Sequence, residues 1–595
     1  MSILKNKFVK IILIILLTIL LVAFSVLLYV NYNINSILTE KINQKYNNSL
    51  FSQYYNLSYN KLKVNILTGN LKLFDVKLVH KTDTNNNFFE QFGSIDYRVE
   101  NVVLKNVNIF EFIKTDSLTI ERIIIKKPII NINKGYKILK PYNFLNNDND
   151  TINICFSLKT FNLQDAKIKY HEKNNNLNIN GLYILSKNIK ITSKVYIKTF
   201  QLKIKNALQT SKSFNNINNF SFSKLNINLK NLEINPKNDT SIYSCKSFTI
   251  NIKKPKFTTK DSLYTFKTNN IVIDYINKNA VINNILIQPN YTKNKFSKKF
   301  KYQTEIYSID IKSLIINGIN FDKLLSDTHF TANSIIAENI ITNIYRDKTY
   351  PLNKNNFPLY PAQQIQKIKL PINIKSIFIK NTNLTYSEKI SAKKTGKIDI
   401  SNLNLEITNL TNITNINNLI IIAKGKVRNK IPFKISVNFN YSKPQFTFNG
   451  TVYKSNLKNA NKILSSFEPI ELKKGTLDKL TFNGSANNTF SSGNMLFLYN
   501  NINIKILNKN KKTSTKVKNK ITSLVANTVI HKNNPSKGKN LPRKVNFSYK
   551  RDKNKSFINF IWKSLFNGII ETIHPSKENQ KKYKNKLRQK KHARK

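Results

Sequence analysis

The chain has 595 residues, with 97 Lys+Arg against 32 Asp+Glu, a net charge of +65, and only 13 Gly and 15 Pro. So basic a chain invites nucleic acid or anionic membrane as a partner, but eight of its 97 basic residues are Arg, the side chain that reads bases and clamps phosphates. Asn, Ile and Lys crowd every region, as AT-rich coding sequence dictates, so the charge is read as compositional and no nucleic-acid partner is expected.

The first ten residues carry Lys5, Lys7 and Lys10 and precede an apolar run over 11–30, marked by Ile11, Leu16, Leu21 and Val30. Twenty residues at ~1.5 Å rise span a bilayer core. The lysine flank places the N-terminus in the cytoplasm and the bulk of the chain outside it. A signal peptide cut near Ala23-Phe24-Ser25 is the rival, but it would leave Val26 to Val30 apolar behind the cut. The expectation is a single-pass anchor, then a juxtamembrane segment over 31–56.

From Leu57 onward alternation dominates. Leu62, Val64 and Ile66, the turn Thr68-Gly69-Asn70, and Leu71 and Leu73 read as a hairpin. A phrase then recurs: two alternating apolar residues, a two-residue polar skip, and the pair again. It appears at Tyr97, Val99, Val102 and Leu104, and at Ile309, Ile311, Leu314 and Ile316. Ile372, Ile374 and Ile377 nearly repeat it, as do Ile398, Ile400, Leu403 and Leu405, while Leu225, Ile227 and Leu229 alternate simply. Such strands have one apolar and one wet face. A bulge at each skip would restore the phase and bend the strand. These residues are the candidate lining of a groove. Pro128 and Pro255, each after a Lys-Lys pair, mark an edge, a bulge or a strand end.

The β region is expected in two parts, 57–350 and 363–550, joined by a linker at 351–362 that holds Pro351, Pro358 and Pro361. Leu457 to Phe467 has helical spacing. Within 551–575, Phe557, Phe560, Ile561, Leu565, Ile569 and Ile573 form the apolar stripe of a helix. That helix suits either a membrane interface or a cap on the end of the sheet. Residues 576–595 hold ten Lys/Arg and one Glu and read as a solvated tail.

Catalytic and cofactor signatures are absent: no phosphate-binding glycine loop, no G-x-S-x-G, no H-E-x-x-H. The six His stand singly, and Cys155 and Cys245 have no metal spacing and read as unpaired structural cysteines. No enzyme, cofactor or metal is expected.

Three burials suit the apolar face: a sandwich, an outer-membrane barrel, or a long open trough filled by acyl chains. An uncleaved anchor argues against the barrel. The apolar run followed by segment 57–76 resembles the start of AsmA-like proteins, and Ser117 to Ile132, with Pro128, resembles their recurring strand phrase ending in a proline. The stretch Leu472 to Gly484, with Gly475, then Gly493 and Tyr499, is similar to the C-terminal domain of that family, and Phe560 to Ile569 to the ending of its DUF748-type members. The resemblance covers the chain nearly end to end. It implies a mainly β protein, anchored in the inner membrane, whose long curved antiparallel sheet forms an elongated periplasmic groove. It also implies passive conduction of phospholipid in support of outer-membrane assembly, with the outer membrane's inner leaflet or an outer-membrane protein as a further partner. An assembly factor for outer-membrane proteins and a passive tether are the alternatives.

Overall fold

In a computed structural model, the protein is described over residues 33–49, 51–81, 93–109, 120–135, 156–172, 175–192, 194–211, 219–235, 243–413, 417–467, 470–506, 530–538 and 540–574, with the isolated positions 22, 25, 576, 585 and 589. The chain is mainly β, with a few short helices, and divides into two compact units, Met1–Lys260 and Asp261–Lys595. The division falls at 260/261 rather than in the expected linker, for a reason given below. Ile11, Leu16, Leu21 and Val30 lie outside the described residues, as does nearly all of 576–595. Val22 and Ser25 are helical. Among the described residues no helix is long and apolar enough to cross a membrane.

The first unit opens with helix α1 (33–47) and the short α2 (Phe51–Tyr54). Its strands are β1 (Tyr55–Ser58), β2 (Lys61–Asn65), β3 (Asn70–His80), β4 (Gly93–Lys105), β5 (Arg122–Lys126), β6 (Ile129–Lys134) and β7 (Phe156–Glu172). They continue as β8 (Asn175–Ile191), β9 (Val195–Ser211), β10 (Asn219–Phe222), β11 (Lys224–Ile234), β12 (Tyr243–Ser244), β13 (Ser247–Lys253) and β14 (Lys256–Thr258). The expected hairpin forms, with Leu62 opposite Leu73 and Val64 opposite Leu71. Pairing is antiparallel except where β5 and β6 lie parallel to β7. The two prolines act as breaks: Lys127 and Lys254 take positive φ, and Pro128 and Pro255 separate β5 from β6 and β13 from β14.

The second unit holds β15 (Tyr264–Lys267), β16 (Asn270–Asp274), β17 (Asn279–Pro289), helix α3 (Lys293–Ser297), β18 (Glu305–Asn317), helix α4 (Phe321–Ser326) and β19 (Phe330–Asp347). Helix α5 (Pro361–Gln366) precedes β20 (Ile372–Ser391), β21 (Lys394–Thr411), β22 (Leu419–Val427), β23 (Ile431–Phe439) and β24 (Phe446–Asn456). A 3-10 turn (Leu457–Ala460) leads into α6 (Asn461–Phe467), then β25 (Ile470–Ala486), β26 (Phe490–Ile506), β27 (Lys544–Lys550) and helix α7 (Phe557–Ile573). From β17 each strand pairs with the next, all antiparallel except β19 with β20.

That parallel joint explains the Pro-rich segment. Two parallel neighbours need a crossover between them, and residues 348–371 supply it. The segment is a strap, not a linker. Tyr360 and Ala362 are fully buried against Phe439 and Phe446, and Tyr360 Oη donates to the Asn487 carbonyl at 2.8 Å. Arg551 lies 4.3 Å over the Tyr360 ring and donates to the Pro358 carbonyl at 2.8 Å, while Asn554 Nδ2 donates to the carbonyls of Lys354 and Asn356.

Candidate functional site: apolar rows across the sheet

Because neighbouring strands pair in fixed register, the apolar positions of one strand meet those of the next, and the matches run on across each unit. In the first unit one row is Leu62, Leu73, Val102, Ile125, Leu163, Ile184, Leu202, Ile227 and Ile250. The row beside it carries Val64, Leu71, Leu104, Ile123, Phe161, Ser186, Phe200, Leu229 and Phe248. A third joins Ala166, Leu182, Ile204, Leu225 and Ile252. The three candidate residues of β11, Leu225, Ile227 and Leu229, therefore belong to three successive rows, and all three are half-buried.

The second unit has the same design over more strands. One row crosses twelve strands: Ile271, Ile282, Leu314, Ala337, Ile379, Leu405, Ala423, Ile435, Gly450, Phe482, Met495 and Val545. Ile316 and Ile377 lie in the parallel row from Ile273 to Phe547. Ile311 aligns with Ile285, Ile340, Thr382 and Leu403. Ile309 aligns with Ile287, Thr342, Leu384 and Ile400. Ile398 stands opposite Tyr386, Ile374 between Ala332 and Leu410, and Ile372 opposite Phe330. Each candidate lining residue thus sits in a cross-strand row. Ile372, Ile374 and Leu403 depart from the expectation in one respect: they are buried rather than lining an open surface.

The polar skips line up as well, forming a crease between two blocks of rows. Asn284, Asn339, Asn381 and Asn402 occupy it in β17, β19, β20 and β21, all with φ between 49° and 57°. Asp75, Lys127, Asp165 and Gly181 do so in the first unit. Left-handed φ is unfavourable for most L residues and least so for Gly, Asn and Asp. Among the described residues, twelve of the eighteen non-Gly residues with positive φ are Asn or Asp, so part of the Asn content is conformational rather than compositional. The skip is not a bulge everywhere. β20 and β21 shift register at it, as do β21 and β22, whereas β17, β18 and β19 pass it one residue against one. Rows on both sides of the crease still share a face: Leu163, Ile184 and Leu202 pack in one cluster with Ala166, Leu182 and Ile204.

Side-chain pairs bind the crease laterally. Lys127 Nζ lies 2.9 Å from Glu100 Oε2, Lys205 Nζ 3.3 Å from Asp165 Oδ1, and Lys380 Nζ 3.0 Å from Glu338 Oε1. Asn381 Nδ2 donates to Asn339 Oδ1 at 2.5 Å, and its backbone N–H donates to Asn404 Oδ1 at 3.0 Å. The hydrogen bond from Lys127 holds the Glu100 carboxyl below its ordinary range. Bonds from Lys159 and Asn106 do the same for Glu121, and those from Lys134 for Glu172.

Among the described residues, a helix covers part of the rows in each unit. Ile34 and Leu38 of α1 are fully buried against Leu62, Leu71, Leu158, Ile189 and Ile197. In the second unit α7 lies on β26 and β27. Phe560, Ile561 and Ile573 are buried in a cluster with Phe448, Phe482, Met495 and Phe547, and Phe557, Leu565 and Ile569 pack against it. All six residues of the stripe are therefore spent on the sheet: the structure places α7 as the cap and leaves no apolar stripe for a membrane interface. A second stripe, Ser564, Gly568 and Thr572 at intervals of four, sets how closely it sits. Ser564 Oγ meets Ser491 Oγ at 2.6 Å, and a Cβ on Gly568 would stand 2.9 Å from Met495 Cε. Neither stripe's destination is stated by the hydrophobic pattern, although small residues every fourth position were a readable sign of close packing.

Along the twelve-strand row the degree of burial changes. Phe482 and Met495 are 4% and 0% exposed beneath α7, whereas Ile271, Ile282, Leu314, Ile379, Leu405 and Ile435 are only half-buried. Of the residues resembling family positions, Gly475 has φ 137° in β25, Gly493 packs flat against Gly484, and Tyr499 is fully buried, donating from Oη to the His531 carbonyl at 2.6 Å. Buried Arg543 donates to Tyr499 Oη and to the Asn533 carbonyl, locking the last strand to the end of α7 through the Thr572 carbonyl. Among the described residues no group of three or more His, Cys, Asp or Glu is placed to hold a metal ion. Cys155 lies outside the described residues.

No protein-family model matches the chain, and no curated protein matches it. Among solved structures, the WD40 domain of SCAP from fission yeast aligns with 68% of this chain and 85% of that chain at 7% identity and a TM-score of 0.07, too low to carry an argument about fold or function.

Proposed function

We propose that the protein is a non-enzymatic envelope protein of AsmA-like type, anchored in the inner membrane by residues 11–30, whose apolar rows conduct or shield phospholipid acyl chains in the periplasm and so support outer-membrane lipid supply. The observation that carries the reading is the twelve-strand row, buried under α7 at one end and half-buried over most of its length. Leaving apolar surface in water forgoes about 25 cal/mol per Å². A row continued across so many strands forgoes that energy repeatedly unless an extended apolar ligand lies along it. Rows of Ile, Leu and Val with few hydrogen-bonding groups suit acyl chains better than any polar substrate. The mechanism needs no chemistry on the lipid: a chain lies across the strands and slides from one to the next over similar aliphatic surface.

The test is extraction of the full chain in mild detergent, followed by lipid analysis. Wild type should retain phospholipid, and Ile311→Asp and Leu314→Asp should lose most of it while expressing normally. Photo-crosslinking from Leu405 identifies the occupant. Lipid adducts support the proposal; nascent outer-membrane proteins as the adducts would replace it with an assembly role; no adduct with either leaves a passive tether.

A further inference from the structure

Among the described residues of β16 to β22, five exposed large apolar side chains in the connections between strands fall on one rim of the sheet; Phe357, 59% exposed, lies midway along the 348–371 crossover and is apart from them. The five are Ile276, Leu325, Ile368, Leu370 and Ile413, with Ile276 69% and Leu325 59% exposed. The topology puts them together. The end of β16, the start of β17, the end of β18, the starts of β19 and β20 and the end of β21 share one edge, because β19 and β20 are parallel. Five strands, β17 to β21, at ~4.8 Å spacing bring these tips within about 20 Å. The connections on the opposite rim, 290–304, 392–393 and 428–430, present no exposed large apolar side chain. Singly exposed apolar residues need no explanation; the gathering of five on one edge does.

The rim is tied rather than loose. Ile319 N–H donates to the Lys278 carbonyl and Phe330 N–H to the Pro371 carbonyl, both at 2.9 Å. Tyr275 Oη donates to Asp322 at 2.8 Å. Asn412 Nδ2 donates to the carbonyls of Ile368 and Leu370 at 2.7 and 2.8 Å. The peptide groups at the two most basic tips are thus already bonded, which lowers the cost of taking that loop out of water. Exposed Lys278, Lys323, Lys367 and Lys369 flank the apolar tips, and in Lys367-Ile368-Lys369-Leu370 they alternate with them.

We infer that this rim docks on an anionic bilayer, the aliphatic tips entering the acyl boundary and the lysines resting among headgroups. Separate tips on separate loops do not form the contiguous apolar centre that a protein interface needs, but a bilayer accepts each independently. Lysines at the boundary add attraction of about 1 kcal/mol each toward anionic lipid. This reading stands without the trough carrying lipid, because the rim and the rows are different surfaces.

The experiment uses the full chain in nanodiscs of unbrominated lipid, in a Cys155→Ser, Cys245→Ser background. The polarity-sensitive dye NBD is attached through Leu325→Cys or Ile368→Cys, with Lys430→Cys on the opposite rim as reference. Phosphatidylcholine vesicles with brominated acyl chains are added, with or without phosphatidylglycerol. Both tip labels should be quenched by the anionic vesicles and the reference label should not. Lys367→Gln with Lys369→Gln should raise the lipid concentration for half-quenching about 10- to 30-fold. Unquenched tips, equal quenching at the reference, indifference to phosphatidylglycerol, or tip labels shielded by rising protein concentration without vesicles would each overturn the proposal. Retention of co-purified lipid in the same preparation is read separately and reports on the trough alone.

Discussion

Truncating Leu314 and Met495 to Ala compares two sites on one row. Both belong to the twelve-strand row, but Met495 is fully buried beneath Gly568 of α7, while Leu314 is half-buried. Removing a core Met side chain costs about 2–5 kcal/mol, the transfer term plus the cavity left behind. Leu314 retains access to water and leaves no closed cavity, so only part of the ~1.5–3 kcal/mol of a full leucine burial is at stake, about 1 kcal/mol. The two units make a single global unfolding energy ill-defined, so the assay is local: hydrogen exchange of β26 and α7 against β18, with Trp562 emission as a second reading. Trp562 is the only tryptophan and stacks 5.9 Å from Phe566. Met495→Ala should accelerate exchange in β26 and α7 by about 30-fold or more and red-shift Trp562, and Leu314→Ala should accelerate exchange in β18 by less than about tenfold. Equal, large effects at both sites would mean that the row is covered throughout, and the trough reasoning would fail.

Gly568→Val should lift α7 from the sheet, since a Cβ has only 2.9 Å to Met495 Cε and 3.1 Å to Phe547 Cδ1; overpacking of about 1–3 kcal/mol should show as proteolysis within 551–574 and a red-shifted Trp562. At the crease, Asn381→Val should lower stability by about 1–2 kcal/mol because it is β-branched at φ 51°, and Asn381→Gly should be nearly neutral, as measured by thermal melting. Arg551→Ala should free the strap, removing the cation stacked on Tyr360 and the bond to Pro358, with limited proteolysis near 351–358 as the readout. Glu100, Glu121 and Glu172 have lowered carboxyl pKa values. Their contribution is therefore complete above the ordinary Glu value of about 4.3 and declines as pH falls through the lower folded values. Melting of the first unit should be flat with pH above about 5 and fall below about 4, and replacing all three by Gln should flatten that fall.

The alternation at Ile309, Ile311, Leu314 and Ile316 made their strand and its apolar face readable, because side-chain period is local information. Register is not local. That Leu314 meets Ala337 and Ile282 depends on turns far along the chain, so the rows became visible only in the fold. The polar skip between Ile400 and Leu403 announced an interruption, but whether such a skip becomes a bulge depends on the partner strand. The three prolines of 351–362 were misleading. Proline marks a segment that cannot join a ladder, and a strap between parallel strands satisfies that condition as well as a linker does. For α7 the stripe was legible and its partner was not, since an apolar face records only that something must cover it. The rim tips carried no periodic signal, because each sits alone on its own loop.

The sequential pairing of β20 through β27 bears on how the gene can change length. Each strand docks on the one just made, so the contacts are close in sequence and the sheet can extend from an existing edge without rearranging what lies behind it. An insertion of one hairpin there would lengthen the second unit's rows by about 10 Å and leave α7 in place. An odd strand would reverse the chain direction at the insertion and demand another crossover like 348–371. Reach, in such a protein, is inherited in units of two strands.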